Sequence, residues 1–528
     1  MQIRRPLQCA PLLTAVVLAA CSTDPSGSGS QCVVTAVTVT GAPATLQEGA
    51  TAQLAATLTS QDCATAPSVS WSSNPSANAS VSASGLVTGL SAGGVTVTAT
   101  AGGISGSANI QITPAPVAVV AITPDSLVLG VGTGPRATAE ARDAGDNVLS
   151  GRTVTWTSLD PAIATVAQTG VVTGVSVGDS ARIVATVETV ADTMYVHVIE
   201  PRLAFAWNNN QATAGTSTPS GSYAYNSAAG TLEFNRSGTG TYSFVYGGLN
   251  SDPGWWTETV FTSVYAPAAA GYCRVSSWGS SSASFTCHGP DGTPADARVT
   301  IAAIGNATLG GRSAHGWMQS ASSDAVLDPF YRWNPSGQEI RSEHLETGRY
   351  RVRFVGLGRT TAADREAIYT SAYGGSSQTT CQPATWSTDG DDLLADVGCF
   401  DPAGVPTDSR FTILLADRGR PGATFGFVHA DQPAAASYTP TNSAVRPTGN
   451  VTVTRSGTGI YEVEFEGFFR TAGLAETYLV TAVGNVAGRC QNQGWSYSTG
   501  SGSGTLDIRC YNLGGVPTDL AFVVVGLQ

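Results

Sequence analysis

The second half of this 528-residue chain contains a pattern of cysteine, tryptophan, proline and aspartate that occurs three times. In each copy a Trp follows the first cysteine by five residues, and Pro and Asp follow the second cysteine by seven and nine residues. The copies are Cys273, Trp278, Cys287, Pro294 and Asp296; Cys381, Trp386, Cys399, Pro406 and Asp408; and Cys490, Trp495, Cys510, Pro517 and Asp519. A repeat of roughly 108–111 residues predicts three units of one fold.

Each copy contains runs with apolar residues at every second position, which is typical of half-buried strands. A turn-rich segment separates the paired cysteines, so each pair is expected to close a β-hairpin near its base. Units of about 105 residues suit a β-sandwich of seven or eight strands. Alternating strands are expected to close the copies at 297–302, 410–415 and 520–525, and one repeated aromatic position is assigned to Trp207, Trp317 and Phe427. The predicted repeats span 202–306, 310–418 and 420–528, and resemble uncharacterised tandem modules of exported bacterial proteins.

A shorter repeat precedes these units, at an offset of 85 residues. Val69-Ser70-Trp71-Ser72-Ser73 aligns with Val154-Thr155-Trp156-Thr157-Ser158, and Gly85-Leu86-Val87-Thr88-Gly89 aligns with Gly170-Val171-Val172-Thr173-Gly174. These segments resemble the bacterial Ig-like domain of group 2 (Big2). The resemblance implies two Ig-like domains, at 32–114 and 117–200, with Trp71 and Trp156 in their cores. The whole chain is therefore expected to be all-β, with tandem Ig-like β-sandwich domains in a multidomain rod.

The N-terminus has the layout of an export signal. Arg4 and Arg5 precede an apolar run at 12–18 that is too short to span a bilayer. Leu18-Ala19-Ala20-Cys21 resembles the lipobox of bacterial lipoproteins, which implies removal of a signal peptide at 1–20 and lipidation of Cys21. An ordinary secretory signal with a chance cysteine is the alternative. Residues 21–31 then hold the lipidated cysteine and a flexible tether, and Ser22 favours the outer membrane.

The cysteines and the net charge further limit the disulfides and the partners that the chain can have. Of ten cysteines, Cys9 leaves with the signal and Cys21 takes lipid, and the other eight are expected to form local disulfides in an exported protein. The pairs are Cys32/Cys63, Cys273/Cys287, Cys381/Cys399 and Cys490/Cys510. The net charge of −12 and the absence of lysine argue against a nucleic-acid partner, which requires basic patches.

Motifs typical of a zinc-protease site or of a phosphate-binding loop are absent from the sequence. Neither His-Glu-x-x-His nor a phosphate-binding Gly-Lys-Ser/Thr loop is present, and we expect no catalytic residue, no metal and no cofactor. Asp389-Gly390-Asp391-Asp392 could hold calcium, but Asp and Gly are also common in turns, and the sequence leaves this open. The repeated Asp296, Asp408 and Asp519 are interpreted as turn-capping residues.

Trp255 and Trp256 are the candidate ligand-binding residues. They follow a Pro-Gly turn, and adjacent residues of a strand point to opposite faces, so at least one ring would be exposed. Exposed aromatic rings stack on sugars or protein partners, although packing on a neighbouring domain is an equal alternative.

Together these features favour a non-catalytic lipoprotein of the cell envelope, at the outer membrane or cell surface, that displays its domains for adhesion or surface binding. Its partners would be the membrane, through the lipid anchor, and an extracellular protein or glycan that the sequence does not identify. The alternatives are a carbohydrate- or cell-wall-binding array and, less favoured, an enzyme with an unrecognised site in the distal repeats. The ligand, the oligomeric state and the face of the outer membrane are not determined by the sequence.

Overall fold

A computed structural model describes residues 32–528, apart from 62, 64, 66, 133–134, 200–201, 250–257, 266–270, 280, 306–308, 310, 362–363, 375–377, 418–424, 447–448, 468–474 and 499–501. The described residues form 44 β-strands and two short 3-10 helices, Gly221–Tyr223 and Pro329–Tyr331. Among them, no helix is long and apolar enough to cross a membrane. The predicted all-β class is confirmed. The chain divides into two compact units, Met1–Pro116 and Val117–Gln528.

The first unit contains the first short repeat. Its strands are β1 (Val33–Thr40), β2 (Thr45–Gln47), β3 (Thr51–Gln53), β4 (Ala55–Gln61), β5 (Ser70–Asn74), β6 (Ala79–Val81), β7 (Leu86–Gly89), β8 (Gly93–Ala101) and β9 (Ile104–Thr113). The order β2-β9-β8-β5 forms a four-stranded sheet, while β1 pairs with β4 and β3-β7-β6 forms a third sheet. Trp71 on β5 packs against the apolar residues between these sheets.

The second unit begins with the second short repeat, which has the same design. Its strands are β10 (Val119–Thr123), β11 (Ser126–Gly130), β12 (Thr138–Arg142), β13 (Thr155–Ser158), β14 (Ala164–Val166), β15 (Val172–Gly174), β16 (Gly178–Val187) and β17 (Val190–Ile199). The order β11-β17-β16-β13 again forms a four-stranded sheet, and Trp156 on β13 is buried.

A glycine lies beside each of these tryptophans. Gly85 and Gly170 both have φ of +84°, a conformation that favours glycine. A Cβ on Gly85 would lie 3.0 Å from the Trp71 ring, and one on Gly170 would lie 3.5 Å from the Trp156 ring. The Gly-x-Val-Thr-Gly segment and the core Trp are therefore parts of one packing arrangement.

Each of the three long repeats has nine strands in the same order. Repeat 1 has β18 (Arg202–Asn208), β19 (Gly215–Ser217), β20 (Ala224–Asn226), β21 (Leu232–Gly238), β22 (Thr241–Tyr246), β23 (Glu258–Tyr265), β24 (Tyr272–Gly279), β25 (Ser282–His288) and β26 (Arg298–Gly305). Repeat 2 has β27 (Ala314–Met318), β28 (Ala325–Val326), β29 (Arg332–Trp333), β30 (Ile340–Glu346), β31 (Arg349–Phe354), β32 (Glu366–Tyr373), β33 (Thr380–Asp389), β34 (Asp392–Phe400) and β35 (Arg410–Asp417). Repeat 3 has β36 (Phe425–Ala430), β37 (Ser437–Tyr438), β38 (Ser443–Arg446), β39 (Val451–Gly457), β40 (Ile460–Glu466), β41 (Thr477–Val483), β42 (Gly488–Ser498), β43 (Ser503–Asn512) and β44 (Ala521–Leu527).

Every long repeat is a sandwich of a five-stranded and a four-stranded sheet. In repeat 1 the five-stranded sheet is β19-β21-β22-β25-β24 and the four-stranded sheet is β20-β18-β26-β23. In repeat 2 the corresponding orders are β28-β30-β31-β34-β33 and β29-β27-β35-β32, and in repeat 3 they are β37-β39-β40-β43-β42 and β38-β36-β44-β41. A core of buried apolar residues fills each sandwich.

The three sandwiches are interlocked, which the sequence did not predict. The five-stranded sheet of repeat 1 continues through β24 into β32 of repeat 2, and that of repeat 3 continues through β42 into β23 of repeat 1. At the remaining junction, the Gly484 amide of repeat 3 donates to the Pro383 carbonyl of repeat 2 at 2.9 Å. The repeats therefore close a ring in which each five-stranded sheet adjoins the four-stranded sheet of the next repeat.

A fourth core lies between the repeats and takes residues from all three. It includes Phe261 of repeat 1, Tyr369 of repeat 2 and Leu479 of repeat 3. The inner strands of the four-stranded sheets are consequently buried on both faces, and β26, β35 and β44 are buried at every residue after the first. The alternating burial expected for these closing strands is wrong, because their second face packs against the other repeats rather than against water.

Candidate functional site

Three of the residues predicted to carry function lie outside the described residues. These are the lipidation site Cys21 and the candidate ligand-binding residues Trp255 and Trp256. Their predicted roles remain predictions.

The eight remaining cysteines pair as the sequence predicts. The disulfides join Cys32 to Cys63, Cys273 to Cys287, Cys381 to Cys399 and Cys490 to Cys510. In each long repeat the two cysteines face each other across a hairpin, β24/β25, β33/β34 or β42/β43. The bridge thus fixes the strand that lies at the junction with the neighbouring repeat.

The repeated aspartates have a structural role, but they do not cap their own turn. In repeat 1, Asp296 accepts hydrogen bonds from the Gly240 amide at 2.9 Å, the Tyr242 hydroxyl at 2.8 Å and the Arg236 guanidinium at 2.7 Å. The equivalent donors to Asp408 are His344, Gly348 and Tyr350, and those to Asp519 are Arg455, Gly459 and Tyr461. Each carboxylate therefore ties the closing strand to the turn between the fourth and fifth strands.

Replacing Asp519 by Ala is expected to lower the free energy of unfolding by about 2 kcal/mol. The substitution removes charge-assisted hydrogen bonds between Asp519 and Arg455, whose side chains are each about three-quarters buried. The Arg455 hydrogen bond lowers the pKa of Asp519, so its contribution is lost as the pH falls below the ordinary range of an aspartate. Urea denaturation measures the change. Asp507→Ala, at an exposed position of the same repeat, is the control and should change stability by less than about 0.5 kcal/mol; equal effects of the two variants would contradict the assignment.

The acidic run at 389–392 is held by an arginine. The Arg353 guanidinium donates to Asp392 at 2.8 Å and to Asp389 at 3.2 Å, and the Gly356 amide donates to Asp392 at 2.9 Å. Among the described residues, no group of three or more His, Cys, Asp or Glu side chains is placed to hold a metal ion.

Aromatic residues cover all three junctions between the long repeats. The Trp that follows the first cysteine of one repeat packs on the first strand of its neighbour. The ring-centroid distances are 5.6 Å for Trp278 and Trp317, 5.7 Å for Trp495 and Trp207, and 4.5 Å for Trp386 and His429. The repeated tryptophans are therefore interface residues of the ring.

These contacts correct one assignment made from the sequence. Trp207 pairs with Thr300, Trp317 with Thr412 and His429 with Val523, so the third member of this position is His429 rather than Phe427. Phe427 is instead equivalent to Phe205 and His315, whose side chains are fully buried. The assignment was shifted by two residues because both positions point to the same face of the strand.

A pocket lies where the three repeats meet. It is lined by the central strands β23, β32 and β41 and by the cysteine-bearing strands β24, β33 and β42. Its volume of about 70 Å³ is several times the roughly 15 Å³ that one water molecule needs. We call it the central pocket. Because it requires all three repeats at once, no property of a single repeat could have predicted it.

The strands around the central pocket are joined by hydroxyl groups. The Ser371 hydroxyl accepts from the Thr262 amide at 3.0 Å and donates to the Thr262 carbonyl at 3.1 Å. The Ser263 hydroxyl makes the same pair of bonds to Val480, at 3.0 and 3.2 Å. Serines at equivalent positions thus hold repeat 2 to repeat 1 and repeat 1 to repeat 3.

A buried glutamate marks the beginning of each central strand, a repeat that the sequence analysis overlooked. Glu366 receives hydrogen bonds from Arg312 and Arg359, and Glu476 receives one from the Trp495 indole at 2.9 Å. Glu258 receives one from the Tyr246 hydroxyl, and burial raises the pKa of Glu258 to about 7. The signal that could have revealed this position is a glutamate 14 or 15 residues before the first cysteine of each repeat.

The two short repeats match a known domain family. Residues 33–112 and 116–198 each match the bacterial Ig-like domain (group 2), which confirms the resemblance seen in the sequence. Ice-binding protein 1 of Shewanella frigidimarina (strain NCIMB 400) is 34% identical over 103 residues, which are 19% of this chain and 12% of that protein. The chain therefore spans only a small part of this relative.

Solved structures with some similarity come from surface and extracellular proteins. Domains 1–6 of the surface layer protein SbsC are 15% identical, with 84% of this chain and 54% of that chain covered and a TM-score of 0.21. Extracellular domains 3–5 of Drosophila OTK are 11% identical, with 49% and 88% covered and a TM-score of 0.26. Human protocadherin-24 EC1-2 is 12% identical, with 32% and 99% covered and a TM-score of 0.14.

Proposed function

We propose that the protein is a non-catalytic, lipid-anchored protein of the cell envelope that displays a ring of three sandwiches for adhesion or surface binding. The observation that carries the proposal is the role of the repeated residues. The cysteines, tryptophans and aspartates common to the long repeats build hairpins, junctions and turns. Because the residues common to all copies stabilise the fold, we expect a ligand to be recognised by the positions where the copies differ.

The order of the parts supports display at a surface. A lipobox-like Leu-Ala-Ala-Cys21 and a Ser- and Gly-rich tether come first, two Ig-like domains of the bacterial group 2 follow, and the ring comes last. The relative from Shewanella frigidimarina is named for ice binding, which is also recognition of an external surface. The lipobox-like anchor and Ser22 support an outer-membrane location.

Replacing Cys21 by Ala tests the anchor. Labelling of cells with an alkyne fatty acid should modify the natural protein and leave Cys21→Ala unlabelled, and the variant should leave the membrane fraction. Cys9→Ala is the matched control, because Cys9 lies within the predicted signal and should not affect labelling. Label that persists in Cys21→Ala would contradict lipidation at this residue.

Binding assays separate adhesion from the main alternative, an array that binds carbohydrate or cell wall. The full chain is tested on immobilised glycans, on cell-wall material and on extracellular proteins, with Trp255→Ala and Trp256→Ala beside it. Retention on glycans that both substitutions weaken would favour the carbohydrate array, because these two rings are the candidate stacking surface. Retention on proteins alone would favour adhesion, and no retention on any surface would overturn the proposed function.

A further inference from the structure

The three long repeats place different side chains at equivalent positions around the central pocket. The residue before the first cysteine is Tyr272, Thr380 or Arg489, and the residue after it is Arg274, Gln382 or Gln491. With the exception of Arg274, all of them line the pocket directly, and Arg274 lies next to the lining residues Tyr272 and Cys273. Because one chain forms the whole ring, three different side chains can meet at one place. Three identical subunits would place the same side chain there three times.

Two arginines at this place are almost completely buried. Arg274 is 1% exposed and Arg489 is 6% exposed. Burial lowers the pKa of each to about 10, and for Arg274 the nearby Arg410 contributes to the lowering. Both guanidiniums are therefore charged at neutral pH. Arg274 donates to the Tyr373 carbonyl at 3.2 Å and Arg489 to the Leu513 carbonyl at 3.3 Å, and a negative charge in the pocket would stabilise both further.

The positive charge of the two arginines also affects the neighbouring residue His288. Burial, followed by the charges of Arg274 and Arg489, lowers the pKa of His288. The Tyr272 ring stacks on His288 with a centroid distance of 5.1 Å and covers the Arg489 guanidinium at 4.3 Å. A cation over an aromatic face is fixed in place by the ring. The positive charge of Arg489 is thus held in a defined position at the pocket.

Gln491 provides an independent sign that the pocket takes a ligand. Its side chain is 1% exposed, and neither its amide nitrogen nor its amide oxygen has a hydrogen-bond partner among the described residues. The equivalent Gln382 donates to the Gly484 and Val486 carbonyls and accepts from the Gly488 amide. A buried amide without partners destabilises a protein, so Gln491 is expected to meet a polar group that enters the pocket.

We infer that the central pocket binds one oxyanion group, a carboxylate, sulfate or phosphate, with Arg489 and Arg274 supplying the positive charge and the Gln491 amide a hydrogen bond. The inference rests on the proposed binding function and names the chemistry of its ligand. The group could belong to an acidic saccharide of a surface polymer or to a free inorganic ion. A carboxylate or phosphate suits a guanidinium because both present several oxygen acceptors to its N–H donors.

Isothermal titration of the purified full chain in detergent tests the inference. The probes are inorganic phosphate, glucuronate and polygalacturonate, with glucose as the neutral control. We expect the anions to bind and glucose not to bind, and Arg489→Gln to weaken binding about 10- to 100-fold, the range for losing a hydrogen bond to a charged group. Tighter binding of polygalacturonate than of phosphate would identify a polymer as the source, and the reverse order a free ion.

Arg509→Gln is the matched control, because Arg509 lies opposite Gln491 on the adjacent strand, carries the same charge and does not line the pocket. It should bind the anions as the natural protein does. Gln491→Leu keeps the test independent of the arginines: it should raise the melting temperature without anion and abolish the increase that anion causes. The inference would be overturned if Arg509→Gln and Arg489→Gln weakened anion binding equally, or if no anion bound. In that case, retention of the protein on cell-wall or protein surfaces would show that the proposed function still holds.

Discussion

Replacing Phe261 by Ala is expected to lower the free energy of unfolding of the ring by about 4 kcal/mol, the usual loss for truncating a buried phenylalanine. Phe261 is completely buried in the core that the three repeats share, and its ring lies 5.9 Å from that of Tyr369 in repeat 2. The loss should therefore appear in all three repeats together. Urea unfolding followed by tryptophan fluorescence measures it, since tryptophans lie at all three junctions.

Phe330→Ala is the matched control for this experiment. Phe330 belongs to repeat 2 and is 57% exposed, so the same truncation should change stability by less than about 0.5 kcal/mol. The midpoint of Phe261→Ala should fall without a second transition, because a ring that shares a core unfolds as one unit. A separate early transition of repeat 1 alone would contradict the interlocked arrangement.

The second large effect is a stabilisation. Glu258→Gln is expected to raise the free energy of unfolding by about 2–3 kcal/mol at pH 8 and to change it little at pH 5. Burial raises the pKa of Glu258 from its ordinary 4.5 to about 7. Between these values the folded protein binds a proton that the unfolded chain does not, so stability falls as the pH rises through this window. Each pKa unit corresponds to about 1.4 kcal/mol.

The hydrogen bond from Tyr246 lowers the pKa of Glu258, but the effect of burial is larger. The Tyr246 hydroxyl lies within hydrogen-bond distance of both the Glu258 carboxyl and the Gly279 carbonyl, but it has one proton to donate. A protonated Glu258 can donate to Tyr246 and leave that proton for Gly279, and the amide of Gln can do the same at every pH. Urea denaturation at pH 5 and pH 8 tests this, with the exposed Glu464→Gln as control. An equal stability difference at both pH values would contradict the shifted pKa.

The sequence predicted local structure well because local structure leaves periodic signals. Repeat spacing located the long repeats and their disulfide-closed hairpins, and the Trp71 and Gly85 motifs located the Ig-like domains. The ring was missed because strands such as Arg298–Gly305 carry an apolar run interrupted only by Thr300, Val299-Thr300-Ile301-Ala302-Ala303-Ile304, which is typical of strands buried on both faces. That run was interpreted as an alternating strand.

The candidate site was harder to predict because it depends on positions where the repeats differ. Arg489, Gln491 and Tyr272 have no common residue type in the three copies, so a comparison of repeats passes over them. Their proximity follows from the closure of the ring, in which β24, β33 and β42 converge on one pocket. Once the strands that carry the first cysteines are known to line the pocket, the residues next to these cysteines become the natural candidates.

The central claim is that the three long repeats form one interlocked unit. Hydrogen–deuterium exchange of the full chain tests this claim most directly. The amides of Glu258–Tyr265, Glu366–Tyr373 and Thr477–Val483 should exchange with one common free energy of opening, because these strands surround the shared centre. Phe261→Ala should accelerate exchange in all three strands by the same factor. Acceleration confined to Glu258–Tyr265 would show that the repeats open independently and would contradict the ring.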